Sequence, residues 1–470
     1  MDELREDGLA PLERARASDN NTNALKLETW QRYLILFIVS WNCLVVTSTS
    51  TSLLVATPEI AASFSTTAEI LNLTNSAVLV AMGCSSLIWS PLGQVFNRRI
   101  SYNAAIIVLF LTSIGTAVAP NLACFTAMRI VTGLTGTYFM VAGQTIIADL
   151  FAPLVRGRAV GCLMVGGVAG TAVGPCIGGI IITYNNWRTI YWLQVGQAGL
   201  GLVLSLLFIP GIESEVRQLS DKNPSTTLSH IDILQKFNPV KVFRLFLLQQ
   251  VFLADLACGL LALTQYALLT SVRLAINPRF NLTTPLISGL FYISPGVGFI
   301  VGSLVGGRLS DRTVKRWMAK RNGLRLPKDR LNSGIAYLFF ILPISVLLYG
   351  WGLDKEFGGL TLAIIMAFWI GVGLMGAWNG LNTYTSDQRS EVVCSKYIMQ
   401  YFFGAVTTGT TVPLINALSI GWYFTIRTHF PSVLGGINVW WLTSNTVTFT
   451  NLLGGIIVLY IARFHLDRGR

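Results

Sequence analysis

The amino-acid sequence predicts an all-α membrane protein with twelve transmembrane helices in two pseudo-symmetric six-helix bundles. Three observations carry that prediction. Of 470 residues, 52% are apolar and 12% are Asp, Glu, Lys or Arg, about half of the roughly 25% charged residues usual in soluble domains. Twelve runs approach the about 20 apolar residues that a helix needs to cross about 30 Å of hydrocarbon. The basic residues gather on one side of those runs, as they do in membrane proteins.

Residues 1–32 are polar and mixed in charge, with no apolar core behind a short basic start. They read as a cytoplasmic N-terminal tail and not as a cleaved signal peptide. The first bundle, 33–210, holds runs at about 33–56, 73–95, 101–120, 123–148, 158–183 and 189–210. In the first run Thr47 to Ser52 are all Ser or Thr, which suits a helix facing a cavity better than one facing lipid. A polar stretch, 211–244, contains Glu213, Glu215, Asp221, Pro224 and Pro239 and reads as a cytoplasmic central loop. The second bundle, 245–463, holds runs at about 245–271, 286–309, 332–352, 359–382, 396–420 and 441–463, and 464–470 form a cytoplasmic tail. Between the last two runs, Ile426 to Asn445 carries Arg427, His429, Pro431, Trp440 and Trp441. It reads either as a long outer loop or as a retained intron in the gene prediction.

Alternating sides from a cytoplasmic N-terminus places 28 of the 34 Lys and Arg residues on the cytoplasmic face, 5 in outer connections and one, Arg129, within a span. The net charge of +12 is therefore an address for topology. It is not a nucleic-acid footprint, because no basic stripe interleaved with aromatics accompanies it. The seven Cys show no metal-ligand spacing and the three His (His230, His429, His465) are scattered, so neither metal nor cofactor is expected. No phosphate-binding Gly-x-x-x-x-Gly-Lys-Ser/Thr loop is present. A membrane-embedded transferase needs clustered His or Asp at one face, and His is nearly absent. The chain is not expected to be an enzyme. A receptor without transport activity is the other rival.

An internal repeat sharpens the reading. Ser-Pro-Leu-Gly-Gln-Val-Phe-Asn-Arg-Arg at 90–99 follows the second run, and Gly-Arg-Leu-Ser-Asp-Arg-Thr-Val-Lys-Arg at 307–316 follows the eighth. Both halves look like copies, as in many secondary transporters. With these residues the chain resembles the major facilitator superfamily, whose loop signature is Gly-x-Leu-x-Asp-Arg-x-Gly-Arg-Arg. Gly307, Leu309, Asp311, Arg312, Lys315 and Arg316 fit the second copy. The first copy keeps Arg98 and Arg99 but has Gln94 where the Asp belongs and Asn97 where the second Gly belongs. Arg129 with Gly133 resembles the family's fourth-helix motif. Gly170, Gly174, Pro175, Gly178 and Gly179 resemble the fifth-helix motif of drug:proton antiporters. Runs such as Pro58-Glu59-Ile60 and Ser288-Gly289-Leu290-Phe291-Tyr292 are similar to fungal exporters of itaconate and related metabolites.

That resemblance implies alternating access by two rocking bundles, with small-molecule cargo and protons as partners, the bilayer as surroundings and a monomeric unit. It implies a multi-pass protein of the plasma membrane or of a vacuolar or other internal membrane. The expected activity is export of a small organic acid or secondary metabolite by proton antiport, with a broad multidrug antiporter or a facilitative carrier as alternatives. The basic residues at the repeat (Arg98, Arg99, Arg312, Arg316) with Asp311 and Gly307 are expected to form a cytoplasmic gate.

The residues themselves suggest a pathway. Arg129 is a cation within a span, a functional hypothesis by default; it either grips a carboxylate with its planar fork or serves as a carbonyl-bonded packing group. Asp255 lies eleven residues past Arg244, ~16 Å along a helix at ~1.5 Å per residue, and is the candidate proton carrier; alternatively it is a paired structural carboxylate. Asn42, Gln144, Gln265, Tyr266, Asn379, Asn382 and Gln400 bring amides and a phenol into the spans, either lining a cavity or bonding helix to helix. Gly166, Gly170, Gly174 and Gly178, and Gly298, Gly302 and Gly306, recur every fourth residue. They are expected to form a sliding seam where spans five and eight meet between the bundles. Asn72 and Asn281 begin glycosylation sequons on predicted outer segments.

Overall fold

The computed structural model describes residues 28–95, 98–151, 156–209, 240–272, 276, 280, 284–322, 327–386 and 390–429, and among them every regular element is a helix. In the first half these are α1 (Thr29–Thr51), α2 (Leu53–Ser63), α3 (Ala68–Val95), α4 (Arg98–Val118), α5 (Leu122–Leu150), α6 (Arg156–Tyr184) and α7 (Arg188–Phe208). In the second they are α8 (Val240–Leu245), α9 (Gln249–Ser271), α10 (Pro285–Phe291), α11 (Ile293–Lys320), α12 (Leu342–Asp354), α13 (Gly359–Ser386), α14 (Ser390–Leu418) and α15 (Ile420–His429). Ten helical segments among the described residues are long and apolar enough to cross a membrane.

The internal repeat is visible in how helices pair. In the first half α1 lies along α6, α3 along α5 and α4 along α7. In the second half α9 lies along α14, α11 along α13 and α12 along α15. The pairings are the same three, taken in the same order along the chain. By this correspondence α15 stands where α7 stands in the first half. Residues 426–429, where the sequence reading begins its long connection, are the last turn of the helix α15. The predicted twelfth run at 441–463, the tail at 464–470 and most of the central loop lie outside the described residues. The halves meet where α6 runs along α10 and α11, and where α3 runs along α14.

Three spans depart from straight helices, each for a local reason. The first span continues past its predicted end at 56 to Ser63, with an interruption at Ser52. Six consecutive hydroxyl residues turn back on the helix there: Thr47 donates to Cys43, Thr49 to Val45 and Thr51 to Thr47. Such bonds compete with the helix ladder. The eighth span breaks at Tyr292, one turn before Pro295, whose ring crowds the carbonyl of residue 291 and whose nitrogen cannot bond it. The ninth span begins with a π-turn at Tyr337–Ile341, which accommodates Pro343 in the following turn. By contrast α5 starts cleanly, because the Asn121 side chain accepts the Cys124 N–H at 2.8 Å.

Candidate transport pathway

The two halves enclose a small cavity at mid-span. Thr47, Ser50, Met140, Met164 and Thr171 line it from the first half, and Gln265, Tyr266, Met375, Trp378, Asn382, Tyr397, Gln400 and Tyr401 from the second. No charged side chain is among them. The cavity measures about 40 Å³, close to the roughly 30 Å³ share of one water and far below the about 300–1,000 Å³ of ligand sites. The centre is closed in this conformation. A second cavity of about 200 Å³ lies nearer the predicted outer face, between Leu54, Thr57, Pro58 and Asn72 of the first half and Thr270, Tyr292, Thr408 and Thr411 of the second.

Closure of the centre rests on contacts across the halves. Gln144 Nε2 donates to Tyr397 Oη at 2.7 Å. Asn382 Nδ2 meets the Met164 sulfur at 3.2 Å, and Tyr401 Oη meets the Met140 sulfur at 3.9 Å. Thioethers are weak acceptors, so two of these three ties are easily broken. Trp378 is buried on the cavity wall and its Nε1–H has no acceptor; Gln144 Oε1 likewise accepts nothing.

Two ionisable side chains are buried in the second half. Asp255 in α9 is fully buried, and neither carboxyl oxygen makes a hydrogen bond within ordinary limits. The neighbouring Ser395 hydroxyl donates to the Val392 carbonyl at 3.0 Å. Lys396 in α14 is also fully buried. Its ammonium donates to Asn382 Oδ1 at 2.7 Å and lies 4.1 Å from the Tyr397 ring centroid. In the sequence Lys396 stands at the cytoplasmic end of the predicted run at about 396–420. The helix instead starts at Ser390, six residues earlier than the predicted 396, which draws the lysine inward. Its sequence signal is the apolar neighbours on both sides, Val392-Val393-Cys394 and Tyr397-Ile398-Met399.

Arg129 is fully buried in α5, away from the cavity lining. Its Nη1 donates to the Thr49 carbonyl at 2.6 Å, Nη2 reaches Asn75 Oδ1 at 3.5 Å, and the guanidinium carbon is 5.9 Å from the Tyr191 ring centroid. Nε has no partner. Thr49 is one turn before the interruption in the first span, and Gln194 Nε2 holds Ser52 Oγ at 2.8 Å. The guanidinium is thus carbonyl-bonded here.

Two other amides are packing groups. Asn42 Nδ2 donates to Tyr102 Oη at 3.1 Å within the first half. Asn379 Nδ2 donates to the Ser303 carbonyl at 2.7 Å within the second. Gln265, Tyr266, Asn382 and Gln400 line the cavity, and Gln144 bonds Tyr397 of its wall.

The glycine stripes meet partners other than those expected. A Cβ on Gly166 would strike Ser40, one on Gly170 would strike Thr47 and Leu44, and one on Gly174 would come 2.8 Å from the Ser48 carbonyl. All three face α1, inside the first half. Gly298, Gly302 and Gly306 face α13, inside the second, and Gly133 faces Val78 and Ala81 of α3. The contact between halves uses other small residues: Gly161 opposite Ser303 and Gly307, Ala172 opposite Gly296, and Gly179 opposite Pro285 and Gly289. An i, i+4 repeat identifies a small-residue face but not which neighbour occupies it. Pro175 lies within the continuous α6, and its carbonyl would meet a Cβ on Gly289 at 2.9 Å.

At the predicted cytoplasmic end, Asp311 Oδ1 lies 3.5 Å from Arg330 Nη1, both side chains nearly enclosed. Arg158, near the start of α6, acts electrostatically on Asp311 from the other half. Asp329 pairs with Arg321 at 2.7 Å. Arg312 and Arg316 are exposed, while Arg99 donates to the Leu206 carbonyl at 2.6 Å; the Arg98 side chain is outside the described residues. Asn72 stands in the second turn of α3, with Thr74 of its sequon buried and bonded to Ile70 at 3.1 Å. That sequon is on a helix and not on an outer loop. Asn281 is outside the described residues.

Known proteins share this architecture. The human organic anion transporter MFSD10 has a TM-score of 0.66 at 15% identity, over 87% of this chain and 99% of that one. The E. coli xylose transporter XylE in a partially occluded inward-open state has 0.65 at 14%, over 90% and 100%. In sequence, the MFS transporter cpaT of Aspergillus oryzae is 25% identical over 74% of this chain and 73% of the relative. The MFS-type transporter phiD of a fungal strain is 24% identical over 79% of this chain, which spans 62% of the relative's length. The MFS antiporter QDR3 of Candida albicans is 22% identical over 84% and 75%. The description of the Major Facilitator Superfamily matches residues 39–391. With its repeated helix pairings and its cavity between two halves, this multi-pass membrane protein belongs to the major facilitator superfamily of transporters.

Proposed function

We propose that the protein exports a small, uncharged, amphipathic metabolite in exchange for protons, by alternating access around the central cavity. The observation that carries the reading is the cavity wall. Three thioethers, three phenols, an indole and three amides face it, and no charge does. Tyr and Trp offer flat apolar faces with a polar edge, Met adapts to irregular shapes, and the Trp378 Nε1–H awaits an acceptor. A ring-bearing ketone or lactone matches that set better than a free carboxylate, which needs a cation or several donors. The relatives support an efflux role, since one bears the name efflux pump and another antiporter. Asp255 is the proton site in this reading. The seam of Gly179 and Gly289 with Ala172 and Gly296 carries the relative movement of the halves, and Asp311 with Arg330 closes the cytoplasmic end.

Thermal-shift titration of purified protein tests the cargo class. The panel is a set of uncharged aromatic lactones and ketones against itaconate and other carboxylates. Stabilisation should come from the uncharged set and weaken in Trp378→Phe, which keeps the ring and removes the donor. Stabilisation by carboxylates alone, unaffected by Trp378→Phe, contradicts the reading and restores organic-acid export.

A further inference from the structure

We propose that Lys396 is the positioning residue of the exchange, linking the protonation of Asp255 to the closure of the cargo cavity through Asn382. The inference rests on Asp255 being the proton site. Its starting point is a choice the ammonium makes. Lys396 lies within electrostatic range of the Asp255 carboxyl, yet its hydrogen bond goes to an uncharged amide at 2.7 Å. A fully buried carboxylate whose one hydroxyl in reach, Ser395, donates elsewhere would be costly. A lysine whose hydrogen bond goes to a neutral amide instead fits a carboxyl in its neutral form.

The consequence follows from what Asn382 touches. Its Oδ1 accepts from Lys396, and its Nδ2 meets Met164 across the halves at 3.2 Å. Asn382 also lines the cavity. With Asp255 neutral, Lys396 holds the amide in the orientation that bridges the halves, and the cavity stays at about 40 Å³. With Asp255 ionised, the carboxylate needs a partner. Lys396 has a flexible four-carbon stem and turns toward it. The amide then loses its anchor, the weak bond to a thioether is all that holds it, and both its oxygen and its N–H become available to cargo. A proton on Asp255 and cargo at Asn382 thus exclude each other, which is the occupancy rule an antiporter needs. The other groups around the pair are Cys258 on α9, Cys394, Ser395 and Tyr397 on α14, and Asn382 on α13. Thiols and phenol ordinarily ionise above the carboxyl range, which leaves Asp255 and Lys396 as the two groups of the cluster whose charge can change.

The test reads conformation and needs no cargo. Spin labels are placed at Glu69→Cys and Ala417→Cys, at the outer ends of α3 and α14, in a background whose exposed Cys84 and Cys162 are Ser. Distances are measured by pulsed electron resonance in nanodiscs from about pH 4 to about pH 9, a window spanning the carboxyl and imidazole ranges. In the parent the ratio of two distance populations should change with pH, by at most about tenfold per pH unit for a one-proton linkage. Asp255→Asn, Lys396→Met and Asn382→Ala should each abolish that change. If Asp255→Asn abolishes it while Lys396→Met and Asn382→Ala keep it, the proton site stands and the link through Lys396 is wrong. A change that persists in Asp255→Asn, or no change in the parent, removes the proton site and the link together. Asn382→Ala leaves Lys396 in place, so the test survives if Lys396→Met fails to fold.

Discussion

A methyl group on the fifth span should divide its glycines by what they face. At Gly174 a Cβ would lie 2.8 Å from the Ser48 carbonyl oxygen and 2.9 Å from Ser48 Cα. Backbone cannot rotate aside as a side chain can, so α1 must move away by several tenths of an ångström. Overpacking of this kind costs about 1–3 kcal/mol, reduced by up to about 1 kcal/mol because Ala favours helix over Gly. One turn on, a Cβ at Gly178 would sit 3.6 Å from its nearest atom, the Ser52 carbonyl, which is ordinary contact. At Gly196, on the neighbouring α7, it would meet nothing within 4 Å. Melting of the purified protein should therefore fall in Gly174→Ala and hold or rise in Gly178→Ala and Gly196→Ala. The scale is about 2–4 °C per kcal/mol for a unit the size of one half. Equal melting of all three variants would refute the close seam between α1 and α6, and a loss confined to Gly178→Ala would place the seam elsewhere.

Two further substitutions probe the buried charges. Arg129→Lys keeps the cation but cannot serve the Thr49 carbonyl, Asn75 and the Tyr191 face together, so melting should fall by the equivalent of about 1–3 kcal/mol for a buried group left unsatisfied; unchanged melting would contradict a latch at the first-span interruption. Asp311→Asn removes the carboxylate facing the nearly enclosed Arg330, and stability should fall, by less than the about 3–5 kcal/mol of a buried charge left with no partner. Label accessibility at the cytoplasmic end should rise, and the double change with Arg330→Met should recover part of the stability; no recovery would mean the two residues act independently.

Much of the fold was legible because membrane insertion writes itself into composition. Long apolar runs, basic residues on one side and a repeated loop motif suffice to place helices and pair the halves. The interior charges Arg129 and Asp255 were legible too, since a charge in an apolar run is rare. Lys396 was missed because one lysine near a run's end looks like a boundary, and only the helix start at Ser390 decides otherwise. Asp329 and Arg330 were counted as loop charges for the same reason, although both are buried. The cavity methionines Met140, Met164 and Met375 carry no motif; their meeting is a fact of tertiary packing. The glycine stripes predicted close approach correctly and their partners wrongly, because periodicity reports a face and not the neighbour on it.

Proton-coupled flux tests the central claim most directly. The purified protein is reconstituted in liposomes loaded with a pH-sensitive dye, and an uncharged aromatic ketone or lactone identified by thermal shift is added on one side. Cargo entry should drive protons out, alkalinising the lumen, and Asp255→Asn should abolish the proton movement while the folded protein remains in the membrane. Cargo movement with no proton signal in the parent, or an undiminished proton signal in Asp255→Asn, would contradict exchange through this carboxyl.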